Sequence, residues 1–179
     1  PALPDDVDIL SRPVTYLTSE ARATDGAPHA VEFYLDASGE LAVNTPDQPV
    51  TAALAEPDGL LALQVGSVAQ AVLRRPGDDI RIDWGYLYLA APRDAVATWA
   101  VGEREALQRT FAEGGAKGLP GTVAAAPVAG GSLVAALAFE LGSVTAAPSS
   151  CQAILAYDAL YSIQYMKTNL RPYWRRNGW

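Results

Sequence analysis

The chain has one cysteine, one histidine and one methionine in 179 residues. Cys151 alone cannot form an intrachain disulfide, and His29 alone cannot build a multi-histidine metal site, so no metal or other cofactor is expected. With no second histidine and no Gly-x-Ser-x-Gly elbow, the Ser/His and Cys/His hydrolase arrangements have no candidate members. Glycines cluster between Gly114 and Gly131, but no Lys followed by Ser or Thr stands in the position a phosphate loop requires, which removes that reading. No run approaches the ~20 apolar residues that cross a bilayer, and the first residues carry neither the basic region nor the apolar segment of a signal peptide. The sequence starts at Pro1, not at Met, so it is expected to be a piece of a longer protein.

Positive charge is also scarce. A net charge of −7 opposes binding to nucleic acid or to anionic membrane surfaces. The positive charge that exists is gathered at one end. Lys167, Arg171, Arg175 and Arg176 fall after the last acid, Asp158, leaving nine basic against twenty acidic residues in positions 1–158. This divides the chain into an acidic body, residues 1–158, and a basic, aromatic tail, residues 159–179.

What the chain has is strand pattern. Half the residues are hydrophobic and 18% are charged, the balance of a folded globular domain. The longest pattern is Ile80–Pro92, read as one strand with Ile80, Ile82, Trp84, Tyr86, Tyr88 and Ala90 on one face, packed between sheets, and Leu87, Leu89 and Ala91 on the other. Val14 to Thr24 and Ala30 to Asp36, joined by Asp25-Gly26-Ala27-Pro28, predict a hairpin, with a continuation over 37–43 past a kink at Gly39. Further strands are expected at 50–54, 60–65, 68–74, 95–101, 132–141 and 151–157. Residues 1–13 read as an irregular lead-in. One helix is expected over Gly102 to Gly114, where Glu103 and Glu105 suit its amino end. The fold class that follows is all-β, an antiparallel sandwich with one short helix and an irregular C-terminal linker. Tyr157, Tyr161 and Tyr165, four apart, would share one face of a helical turn.

Three carboxylates stand in apolar settings: Asp83 beside Trp84, Glu140 within Ala-Phe-Glu-Leu-Gly, and Asp158 after Ile-Leu-Ala-Tyr. A two-carboxylate hydrolase would need two of them to converge within ~10 Å; the commoner explanation for each is a structural one. Trp84, Tyr86 and Tyr88 offer a sugar-stacking platform if exposed and core if covered. His29 reads as a surface turn residue and Cys151 as a buried, inert thiol.

Five segments carry a family resemblance. Residues 3–18, 23–29, 82–88 (Ile-Asp-Trp-Gly-Tyr-Leu-Tyr), 139–144 (Phe-Glu-Leu-Gly-Ser-Val) and 157–176 (Tyr-Asp-Ala-Leu-Tyr-Ser-Ile-Gln-Tyr-Met through Leu-Arg-Pro-Tyr-Trp-Arg-Arg) resemble, in order, the N-terminal β domain of the glutaminase A family. The resemblance implies a supersandwich-like domain that begins upstream of Leu3 and precedes an (α/α)6 toroid of the six-hairpin glycosidase type, in a secreted or cell-envelope hydrolase. It implies a bracing role without catalysis for residues 1–158, with residues 159–179 as the linker and Tyr161, Tyr165, Tyr173, Trp174 and Arg175 as the interdomain contact. Asp83, Trp84, Tyr157 and Asp158 are the candidate binding residues. The alternatives are a carbohydrate-binding module, or a domain lending acids to a glycoside or amide hydrolase cleft with a small-molecule or glycan substrate.

Overall fold

The computed structural model describes residues 3–78, 80–124 and 127–177. Two antiparallel sheets pack face to face without closing into a barrel. The larger has six strands in the order β1 (Val14–Ala21), β9 (Ser149–Asp158), β5 (Tyr86–Pro92), β4 (Leu60–Ser67), β3 (Pro49–Ala55) and β7 (Val128–Ala129). The smaller has three, β2 (His29–Ser38), β8 (Leu133–Val144) and β6 (Thr98–Glu103). No helix among the described residues is long and apolar enough to cross a membrane.

Side-chain alternation builds the core between the sheets. Leu155, Leu89, Leu63 and Leu54 stand opposite one another across β9, β5, β4 and β3, and meet Leu133, Ala135, Leu137 and Phe139 of β8. Unlike most strands here, β8 begins with a nearly continuous apolar run, because both its faces are covered. Its other face, Val134, Ala136 and Ala138, lies under Leu107 and Phe111 of helix α2 (Arg104–Gly114), and small alanines let that helix approach closely. Glu103 caps α2 by accepting from Ala106 N at 3.0 Å.

Several expectations need correction. The strand expected from Ile80 begins at Tyr86, because Gly85 takes φ +81 and breaks the pleat; Ile80 and Ile82 are about 40% exposed. Its faces are also reversed. Leu87, Leu89 and Ala91 fill the core, while Tyr86 and Tyr88 lie half-buried on the outer face of the sheet. The first two strands do not form a hairpin: β1 pairs with β9 and β2 with β8, so the Asp25-Gly26 turn crosses between sheets. Local alternation marked both strands but carried no information about their distant partners. Residues 68–74 are not a strand; Gln70 and Leu73 have φ of 42° and 51°.

The lead-in contains a helical turn, α1 (Val7–Leu10), capped by Asp6, so the described residues hold two helices, not one. The continuation expected past Gly39 is a 3-10 turn, Gly39–Ala42. The tail is not wholly irregular. Leu160 at φ 58° turns the chain out of β9, and β10 (Ile163–Tyr165) pairs with β11 (Thr168–Leu170) across Met166 and Lys167, both left-handed. This hairpin replaces the helical turn expected of Tyr157, Tyr161 and Tyr165. The two-residue β7 had no recognisable signal.

Candidate functional site

Three consecutive residues, Asp83-Trp84-Gly85, tie four distant segments together where β5 begins. The Asp83 side chain is 1% exposed and accepts from Gln48 Nε2 at 3.0 Å, with Arg75 Nε 3.4 Å away. Its main-chain carbonyl accepts from the Ser67 hydroxyl at the end of β4. Trp84, 6% exposed, donates its indole N–H to the Tyr161 carbonyl at 3.0 Å, and its own carbonyl accepts from the Tyr157 hydroxyl at 2.8 Å. Gly85 exchanges two hydrogen bonds with the Gln70 side chain, at 2.7 and 3.0 Å, which accounts for the left-handed backbone of Gln70 within a segment that reads as strand. Substituting Trp84 with Phe removes a buried donor and some packed volume. Stability should fall by about 1–3 kcal/mol, read as a lower urea midpoint with an unchanged slope.

Asp158 closes β9 beside this knot. Its Oδ1 accepts from Leu160 N at 3.0 Å, and its Oδ2 pairs with the guanidinium of Arg175, bringing the tail back over the sheet. A second ion pair, Arg176 to Asp8 at 2.5 Å, joins the tail to α1. Arg175 also lies 5.2 Å from the Trp174 ring centroid, and Arg176 4.1 Å from that of Tyr173. Between this clasp and the outer face of the sheet is a cavity of about 490 Å³, with Tyr88 and Ala156 of the sheet, Arg12 and Trp174 among its lining residues. Burial pushes the Tyr88 phenol up, against the hydrogen bond that it accepts from Gln64. Burial, helped by the charges of Asp83 and Asp158, pushes the Tyr157 phenol up further. Both hydroxyls are therefore neutral donors or acceptors at neutral pH, not bases.

The structure thus brings together Asp83, Trp84, Tyr157 and Asp158, the four predicted binding residues. Each is occupied internally. Both carboxylates face an arginine and further donors, and Trp84 presents no free face for a sugar to stack on. Glu140 does not join them. It sits on the smaller sheet, half-exposed, 3.2 Å from Lys117. His29 is exposed and bonds Asp25 at 2.9 Å, which lowers the Asp25 carboxyl below its usual value. Cys151 points into the core from β9, and burial raises its thiol. No group of three or more potential metal ligands exists among the described residues. Sequence reasoning missed Gln48, Ser67, Gln70 and Arg75. Gln48 and Gln70 act from loops on residues 35 and 15 positions away, and periodicity carries no such signal.

The five tail residues divide into two sets. Trp174 and Arg175 face the body, and the Tyr161 carbonyl is spent on Trp84. Tyr165 and Tyr173 face solvent, alongside exposed Ile163, Met166 and Leu170.

A comparison with curated proteins gives no match. A family model does match, described as Domain of unknown function (DUF5127), over residues 1–179.

Proposed function

Because the chain belongs to the DUF5127 family of domains of unknown function, we propose that it is an accessory, non-catalytic β-sandwich module. In this reading it packs against and braces a helical catalytic domain of the same parent protein, an extracellular or cell-envelope hydrolase of the glutaminase A type. The observation that carries the reading is the tail. Ile163, Tyr165, Met166 and Leu170 are exposed on a hairpin, and Tyr173 on the turn after it, in a tail fastened to the sandwich by Arg175 and Trp84. Apolar and aromatic side chains held outward on an anchored scaffold suit a contact surface. The internal pairing of Asp83 and Asp158 supports the absence of catalysis, since a general acid or base needs an atom free to reach a substrate.

Tyr165→Ser combined with Met166→Ser should leave the melting temperature of the isolated chain within about 2 °C, because both side chains are largely in water. The same double variant should weaken association with the helical domain of the parent at least tenfold, measured by calorimetry. Hydrolysis of glutamine or a glycoside by the isolated chain, abolished by Asp83→Asn or Asp158→Asn, would overturn the reading. A sugar-binding role retains one support, the placement of Tyr88 and Trp174 on the same cavity. Saturable quenching of Trp174 fluorescence by a glycan would favour it over bracing.

A further inference from the structure

The two sheets have four edges, and three of them are blunted. At one end of the six-stranded sheet, β7 is two residues long. In the smaller sheet, β6 is covered by residues 122–124, with Val101 N donating to the Thr122 carbonyl and Ala124 N to the Val101 carbonyl, both at 2.9 Å. The other edge strand of that sheet, β2, has a register shift at Val31/Glu32 and carries Glu32 and Asp36. These are the devices by which sheets avoid pairing with other chains. The fourth edge, β1, has none of them among the described residues. Its eight residues pair with β9 in unbroken register, contain no proline or lysine, and hold one charge, Glu20.

We propose that β1 is an assembly edge that pairs antiparallel with β1 of a second copy of this chain, about a twofold axis at Tyr16. Tyr157 N donates to the Pro13 carbonyl, which fixes the alternation. Odd-numbered residues of β1 bond to β9, and the main-chain N–H and C=O of Tyr16 and Thr18 point away from it. A twofold at Tyr16 sets these free groups against those of the second copy. Tyr16, 78% exposed, meets its own symmetry mate, and Val14 meets Thr18. On the inner side Thr15 meets Leu17, which stands at the lip of an apolar cleft of about 160 Å³ that also reaches Phe33, Leu35 and Phe139.

Charge selects this register. It places Arg12 of each copy against Glu20 of the other, and neither residue has an ion-pair partner among the described residues. Moving the twofold to Leu17 keeps the hydrogen-bonding parity but sets Arg12 against Arg22, with like charges opposed. The proposal uses no part of the bracing role, since it rests on the edge of the sandwich and not on the tail hairpin.

Sedimentation across the micromolar range should show a reversible monomer–dimer equilibrium. Glu20→Arg should raise the dimer Kd about tenfold, since two symmetric pairs are inverted, and Arg12→Glu/Glu20→Arg should restore it. Under mild oxidation Tyr16→Cys should cross-link, because directly bonded partners lie ~5.5 Å apart, within disulfide reach. Thr18→Cys should not, its two copies being about 13 Å apart. A single monomeric species at every concentration, an unchanged dimer with Glu20→Arg, or equal cross-linking at both positions would overturn the proposal. Tyr16 and Glu20 are exposed, and circular dichroism of each variant separates lost pairing from lost folding.

Discussion

Gly85→Ala is expected to cost about 3–5 kcal/mol of folding stability, enough to unfold a large share of the molecules at physiological temperature. Two terms add. At φ +81 an alanine is strained by about 1 kcal/mol or more. Its methyl would also run into the main-chain carbonyl of Asp158, in backbone that cannot swing aside as a side-chain tip does. That carbonyl belongs to the last residue of β9, opposite Tyr86 in the sheet. Relief therefore requires separating β5 from β9 or releasing the Gln70 bonds to Gly85, and either change opens the Asp83-Trp84-Gly85 knot. Denaturant unfolding gives the magnitude. A loss below about 1 kcal/mol would mean that the turn is not left-handed in solution.

Asp158→Ala is the second large effect, with an expected loss of about 2–3 kcal/mol. The ion pair with Arg175 is sheltered but not sealed, with side chains 12% and 19% exposed, so the cost is set below the 3–5 kcal/mol of a fully buried broken pair. Most of the loss comes from the guanidinium left behind, whose Nε is buried without a partner even in the intact chain. The Asp158→Ala/Arg175→Met double variant should therefore be more stable than Asp158→Ala alone, a sign change that a purely additive account does not give. Trypsin reports the structural consequence. Cleavage after Lys167 or Arg175 should be slow in the parent chain and fast in Asp158→Ala, while the sandwich core stays resistant. Equal cleavage rates would show that Asp158 does not fasten the tail.

How much of this was legible in the sequence depends on the range of each interaction. The strands at 60–65, 132–141 and 151–157 were found within a few residues, because an apolar strand between two layers signals itself locally. Helix α2 was found for the same reason, its capping glutamate and terminal glycine lying in the segment itself. Pairing partners were not legible. Val14 to Thr24 reads as half of a hairpin, yet its hydrogen bonds go to residues near 150, and alternation is indifferent to that choice. Trp84, Tyr86 and Tyr88 looked like one face because Gly85 looked like a pleated residue. A single left-handed glycine between them sends Trp84 into the tail contact and the two tyrosines to the outer side. Of the candidate site, the four residues Asp83, Trp84, Tyr157 and Asp158 do meet, but the glutamines and arginines that neutralise and orient them come from loops with no pattern to read.

The strand order carries a consequence for synthesis. β9 lies between β1 and β5, and Val14 pairs with Ala156, so β1 must wait for a strand more than a hundred residues later before it has its neighbour in this sheet. β3, β4 and β5 form a meander that can close early, and β8 can join β2 and β6. Until Asp158 leaves the ribosome, however, β1 has no neighbour in the six-stranded sheet and β5 has an open flank. Pairing over so long a separation folds slowly. The nascent chain therefore carries one unsatisfied edge once β1 is made and a second once β5 is made, and arrival of β9 closes both in one step.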